Sequence, residues 1–261
     1  MIWAITTVLT DEDGMLRHWL WHYRQLADQM VVCVASGSYI RPNFNLFEHL
    51  IVAAISESLA IGPTQHIVQA DILAKLGVKD DDWVITADLD EFYEFPCRIG
   101  IEIDRLEASG ADGVIGHFVD MVASDGTLPP AKHFAMLSMQ YPVETRMTEL
   151  FLRGGTRKVM LHRPWVNLSP GHHGASIHQH MDHPDPKMFY GGGDYKVRHY
   201  KWRASLVRHL RRCLASNRCG DRWNAEAKNL LAYLARNDGK INFNDPPGLT
   251  DMANRRFDNP C

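Results

Sequence analysis

Over the first 110 residues, apolar runs of strand length alternate with stretches of helical periodicity, and this alternation restricts the possible folds more than any other feature. Residues 2–9 are apolar and partly β-branched, which predicts a buried strand. After the polar turn Thr10-Asp11-Glu12-Asp13-Gly14, the apolar residues Met15, Leu16, Trp19, Leu20, Tyr23 and Leu26 recur at helical spacing. Residues 31–35 predict a second strand, closed by Ser36-Gly37-Ser38, and residues 83–87 a third. Helices are expected between them, over residues 44–60 and 69–76. Such a succession predicts an α/β fold of Rossmann-like class, with a mostly parallel sheet flanked by helices. Ligands of these sheets bind beyond the carboxyl ends of the strands. Asp11-Glu12, Ser36-Gly37-Ser38 and Asp88-Leu89-Asp90 all fall at such ends and are expected to face one crevice.

Past residue 110 the pattern loosens. Strands are expected over 114–119 and 157–161, irregular chain over 120–147, and two helices over 204–214 and 223–235. The long polar stretch 164–193 carries five histidines between His172 and His183 and ends near a Gly-Gly-Gly, so it reads as a binding loop. With no internal repeat and no clear linker, one domain across residues 1–261 is expected, with a loop-rich C-terminal half and terminal helices.

Composition excludes several classes. A chain that is 45% hydrophobic is not predominantly disordered. With 28 Lys+Arg against 31 Asp+Glu, the formal charge of −3 speaks against nucleic acid as a partner. No apolar stretch approaches the ~20 residues of a membrane span, and the N-terminus does not read as a secretory leader. The five cysteines show no C-x-x-C spacing and suit reduced thiols. A cytoplasmic location is expected, with peripheral contact at the inner membrane face as an extension. The tail residues Arg203, Arg208, His209, Arg211, Arg212, Arg218 and Arg222 form a basic region that reads first as a solvated face.

The stretch with most chemistry is Trp83-Val84-Ile85-Thr86-Ala87-Asp88-Leu89-Asp90-Glu91-Phe92. Two carboxylates at i and i+2 beyond a buried strand can turn toward one hard cation, Mn²⁺ or Mg²⁺, which in turn clamps a diphosphate. A phosphatase of the haloacid dehalogenase type is set aside, because Phe92 stands where that motif needs a small residue. The segment His178-Gln179-His180-Met181-Asp182-His183 resembles the dinuclear zinc motif of metallo-β-lactamase-type hydrolases. It lacks the preceding apolar strand, so the zinc hydrolase is a minor alternative.

Five landmarks in order resemble the bacterial family 2-like glycosyltransferases of GT-A fold. They are Asp11-Glu12 with Leu16, Trp19-Leu20 and His22; Asp82-Trp83-Val84-Ile85 with Asp88-Leu89-Asp90-Glu91-Phe92; Asp120, Ala123 and Asp125-Gly126; Arg157-Lys158-Val159 with Arg163-Pro164 and Gly171-His172-His173; and Val197-Arg198-His199-Tyr200-Lys201-Trp202 with residues 206–211. The resemblance spans roughly residues 2–235. It implies transfer of a sugar from a nucleotide-diphosphate-sugar donor, a UDP-sugar by default, to a glycan or other hydroxyl acceptor. Residues 1–110 would bind the nucleotide sugar, 111–200 would complete the acceptor and metal side, and 201–261 would form a basic helical tail.

On this resemblance Asp88 and Asp90 would serve the metal and donor, with His173 and His199 as further ligands of Mn²⁺ or Mg²⁺. Glu12 and Glu91 would help shape the donor pocket. Lys158, Arg163 and Lys201 would neutralise the leaving diphosphate. Asp120 is the first candidate for the base that deprotonates the acceptor, with Asp125 and Glu149 behind it. Ser36-Gly37-Ser38 lacks the aspartate usual after the second strand, and Asp11 replaces the usual asparagine. These departures motivate the other alternative, a GT-A-like binding or scaffold protein without turnover.

Overall fold

The computed structural model describes residues 1–9, 14–35, 49–56, 65–132, 136–152, 155–176, 185–216 and 220–243. Glu12, the Ser36-Gly37-Ser38 turn and the His178–His183 motif lie outside them.

The first strands are β1 (Ile2–Val8), β2 (Gln29–Ala35) and β3 (Leu50–Ile55), followed in the sheet order by β4 (Trp83–Thr86). They run parallel in the spatial order β3-β2-β1-β4. That order is the doubly wound Rossmann half. Helix α1 (Met15–Tyr23) and helix α2 (Gln65–Lys75) cover opposite faces, and alternation along the strands shows it. Ala4, Val8, Val32 and Ile85 join Met15, Leu16, Trp19, Leu20 and Tyr23 in one buried cluster. Trp3, Ile5, Val31, Cys33 and Val84 join Leu73 of α2 in another.

The sheet continues through later elements. Beyond β4 come β5 (Glu91–Glu94), α3 (Ile99–Ser109), β6 (Gly113–Val122), α4 (Leu137–Gln140), β7 (Val143–Thr145), α5 (Met147–Leu152) and β8 (Arg157–His162). Then follow β9 (Asn167–Leu168), a 3₁₀ turn at Pro170–His172, β10 (Ala175–Ser176), β11 (Met188–Tyr190) and β12 (Lys196–His199). The full order is β3-β2-β1-β4-β8-β6-β12-β5, with β7 and β11 also on β6. The antiparallel β8 sits between β4 and β6. The antiparallel β5–β12 pair closes the edge. Two helices end the described chain, α6 (Ala204–Ser216) and α7 (Gly220–Arg236), packed with Val122, Met147 and Trp202 in a further cluster. None of the described helices is long and apolar enough to cross a membrane.

Three expectations need correction. The helix expected over 44–60 is a strand where the chain is described, at Leu50–Ile55. A short apolar run has no periodicity that separates strand from helix. Here the register Met30↔Leu50 through Ala35↔Ile55 against β2 decides it. The region 120–147 is not irregular throughout, since β6 extends to Val122 and β7 pairs back onto it. The helix expected at 69–76 begins earlier, at Gln65.

Gly126 adopts a left-handed φ of 72°, and a Cβ there would lie 2.0 Å from the carbonyl oxygen of Ile241. Its own carbonyl accepts the Ile241 N–H at 2.7 Å, which fastens the segment after α7 to the β6–β7 connection. Gly126→Ala combines backbone strain with a backbone clash. We expect a loss of about 1–3 kcal/mol, read as a lower midpoint in urea denaturation.

Candidate functional site

Strand β4 ends at Thr86, and the next residues turn sharply toward β5. The Glu91 N–H donates to the Asp88 carbonyl at 3.0 Å, and the Asp88 N–H donates to Glu91 Oε2 at 3.1 Å. Tyr93 donates its hydroxyl to the Thr86 carbonyl at 2.6 Å, Tyr23 donates to the Glu91 carbonyl at 3.0 Å, and the Tyr200 N–H donates to the Asp90 carbonyl at 2.8 Å. The acidic turn is thus fastened to α1, β5 and the segment after β12. It sits at the carboxyl end of the parallel strands, as the sequence led us to expect.

The two aspartates face different neighbours. Asp88 accepts hydrogen bonds from Lys158 Nζ and from Gln65 Nε2, both at 3.0 Å. Lys158 is 1% exposed and also lies 2.5 Å from Oε1 of the buried Glu91. Its ammonium reaches this place because β8 runs antiparallel beside β4. Burial alone would raise the Asp88 pKa, but Lys158, His172 and the Gln65 bond hold it well below the usual carboxylate range. Burial dominates at Glu91 and pushes it up to about 7 despite Lys158. Glu91 is therefore a wall of the site, bonded to Lys158 and the turn.

Asp90 looks instead toward β12. Its Oδ2 lies 3.9 Å from His199 Nε2 and 3.6 Å from a guanidinium nitrogen of Arg203. Burial would raise this carboxyl too, and His199, Arg203 and Lys201 lower it. His199 is 6% exposed, and its Nδ1 donates to Asp120 Oδ1 at 2.8 Å.

Asp120 is not placed as the expected base. It is 1% exposed. Its Oδ1 also accepts from the Thr148 hydroxyl at 2.7 Å and Trp202 Nε1 at 2.9 Å, and its Oδ2 from the Thr148 N–H at 2.6 Å. A carboxylate with four protein donors has no open side for an acceptor hydroxyl. Of the candidates behind it, Asp125 is exposed and accepts from the Thr127 N–H and hydroxyl through Oδ1, and Glu149 lies 3.9 Å from Arg146.

Arg163 is a second correction. It donates to the Asp81 carbonyl at 2.6 Å, pairs with Glu107 at 2.9 Å and lies over the Trp83 ring at 4.0 Å. Those partners are at the amino end of β4, the end opposite the acidic turn, so Arg163 does not reach a diphosphate there. The resemblance places it with Lys158 at the diphosphate, but the antiparallel β8 carries its first and last residues to opposite ends of the sheet.

His173 and His172 divide what the sequence expected of one residue. His173 is exposed, and its Nδ1 bonds the Arg157 carbonyl at 2.7 Å. His172 is 1% exposed with a left-handed φ of 58°, and its buried Nδ1 has no hydrogen-bond partner among the described residues. Burial first, and then Lys158, lower its pKa to about 3, so the ring beside Asp88 is neutral. Gln65 and Thr148 are site residues that the sequence does not single out, whereas Arg203 is read there only within the basic region and Trp202 only within the fifth landmark. Among the described residues, no group of three or more His, Cys, Asp and Glu is arranged to hold a metal ion by itself.

No family model matches the chain, and neither does any curated protein. Among solved structures, a 4-diphosphocytidyl-2C-methyl-D-erythritol synthase is similar over 62% of this chain and 75% of that chain, with 15% identity and a TM-score of 0.33. A likeness that low carries no inference about chemistry.

Two outcomes follow from the buried charges. Lys158→Met leaves Glu91 and Asp88 without their cation and should cost about 3–5 kcal/mol in chemical denaturation, with partial recovery in Lys158→Met/Glu91→Gln. His162 is 4% exposed, donates from Nδ1 to the Arg163 carbonyl at 2.8 Å and accepts from Thr86 at Nε2. Burial lowers its pKa from 6.5 to about 4. Below pH ~6.5 the unfolded chain binds a proton that the folded one refuses, so stability falls on acidification until about pH 4. Relative to the wild type, His162→Gln should flatten the melting temperature between pH 7 and 5, removing roughly 2 kcal/mol of that slope.

Proposed function

We propose that the protein is a glycosyltransferase that moves a sugar from a nucleotide-diphosphate donor, a UDP-sugar by default, to a hydroxyl acceptor such as a glycan. One observation carries the reading: the acidic turn after β4 presents Asp90 Oδ2 to His199 Nε2 across 3.9 Å at the carboxyl end of a parallel sheet, with Arg203 at its flank. The five sequence landmarks of the glycosyltransferase resemblance support the same reading.

The donor set fits Mn²⁺ or Mg²⁺. One carboxylate and one imidazole converge, and ions of this kind commonly take their remaining ligands from water and substrate phosphates. Asp90 and His199 would hold the ion, which when bound would neutralise the donor diphosphate. Asp88, already bonded to Lys158 and Gln65, would accept hydroxyls of the donor ribose or sugar rather than share the ion. Lys201 and Arg203 would face the charge that develops on the leaving diphosphate, where fixed positive groups assist most. Lys158 holds Asp88 in place, Glu12 would extend the nucleotide pocket, and the resemblance implies His173 as a further metal ligand. The 1–261 chain would then work as one domain, with its first 110 residues on the donor.

A second reading, a binding protein without turnover, is favoured by the Lys158–Asp88 pair, which supplies internally a charge that a ligand would otherwise bring. Turnover separates the two. In a thermal-shift series of nucleoside diphosphates with and without Mn²⁺, one nucleotide should raise the melting temperature only with Mn²⁺. Donor hydrolysis by the wild type should be lost in Asp90→Ala, with the melting temperature of the free protein retained. Full activity in Asp90→Ala, or no nucleotide shift at all, would refute the transferase.

A further inference from the structure

We propose that Asp120 is a positioning residue for His199: it fixes the ring so that Nε2 points at Asp90, and thereby sets the affinity of the site for a divalent cation. The inference rests on the proposed metal-dependent reading and assigns Asp120 a role distinct from the expected base. Two features support it.

The carboxylate is saturated from the inside. Four donors from three elements converge on it: Thr148 by hydroxyl and N–H, His199 Nδ1, and Trp202 Nε1. Asp120 and His199 are directly paired across β6 and β12, so their backbones are held in register. A ring bonded at Nδ1 to a carboxylate that cannot itself move is fixed in both rotation and tautomer. Histidines that bind metals characteristically hand their second nitrogen to such an outer partner.

The ring has no other freedom. Phe118 meets it edge-on at 4.7 Å between centroids, and the Thr148 hydroxyl lies 3.3 Å from Nδ1. The remaining nitrogen, Nε2, faces Asp90 at a distance too long for a hydrogen bond. The pair is separated by a gap, and neither partner closes it.

The same four bonds also seat the first turn of α5 through Thr148 and the approach to α6 through Trp202. A purely structural role for Asp120 therefore has to be distinguished from positioning, and stability alone cannot do it. The discriminating quantity is coupling to His199.

The test measures Mn²⁺ binding by electron paramagnetic resonance of free Mn²⁺, for the metal alone and with UDP. Asp120→Asn should weaken Mn²⁺ binding roughly 10- to 100-fold. His199→Gln should weaken it as well, and Asp120→Asn should add nothing further in the His199→Gln background. An unchanged affinity in Asp120→Asn, or an equal loss with and without His199, overturns the inference while leaving the metal reading intact. No Mn²⁺ binding by the wild type, with or without UDP, overturns the metal reading and the inference with it. If Asp120→Asn does not fold, Thr148→Val takes its place. It keeps the carboxylate and removes one donor, and should lose roughly 2- to 10-fold in affinity; no loss overturns the inference.

Discussion

A single buried ammonium makes the acidic turn possible. Glu91 and Lys158 are almost wholly enclosed, and Asp88 is half-buried beside them, so two carboxylates and one cation share a space with little water. Removing charges from water is expensive, and each member is tolerable only because the others are present. Lys158 reaches the turn through the antiparallel insertion of β8 between β4 and β6. Without that strand the Asp-x-Asp-Glu segment would have to open to solvent or bind protons.

The consequence is a division of labour between the aspartates. Asp88 is committed to the protein by Lys158 and Gln65, whereas among the described residues the Asp90 carboxylate meets longer approaches from His199 and Arg203. A turn of two residues rotates successive carboxylates away from one another, so i and i+2 spacing does not oblige them to share a ligand. Among the described residues one carboxylate and one imidazole face each other across the gap, and the proposed metal-dependent reading rests on that arrangement.

Much of this architecture was legible. The β1, β2 and β4 strands, α1, and the placement of Asp88 and Asp90 beyond a strand end followed from apolar periodicity alone, because one face of each element must be buried. Residues 50–55 were misread because a six-residue apolar run satisfies either period until a neighbour supplies the register. The resemblance groups Arg163 with Lys158, but a shared landmark does not reveal that β8 runs antiparallel and carries the two to opposite ends of the sheet. Thr148 carries no signal of its own, and the landmark that holds Trp202 does not show its partner, since the significance of both is the geometry of one carboxylate 28 and 82 positions away.

Local periodicity sets the helical faces and the strand ends, and thus where polar groups gather in a parallel sheet. Which carboxylate is neutralised, which is left facing a gap, and whether Asp120 meets solvent or four protein donors were decided by tertiary structure. Those properties depend on charges and donors brought together from distant segments, and the local pattern that forms a strand or helix carries no information about what stands across from it.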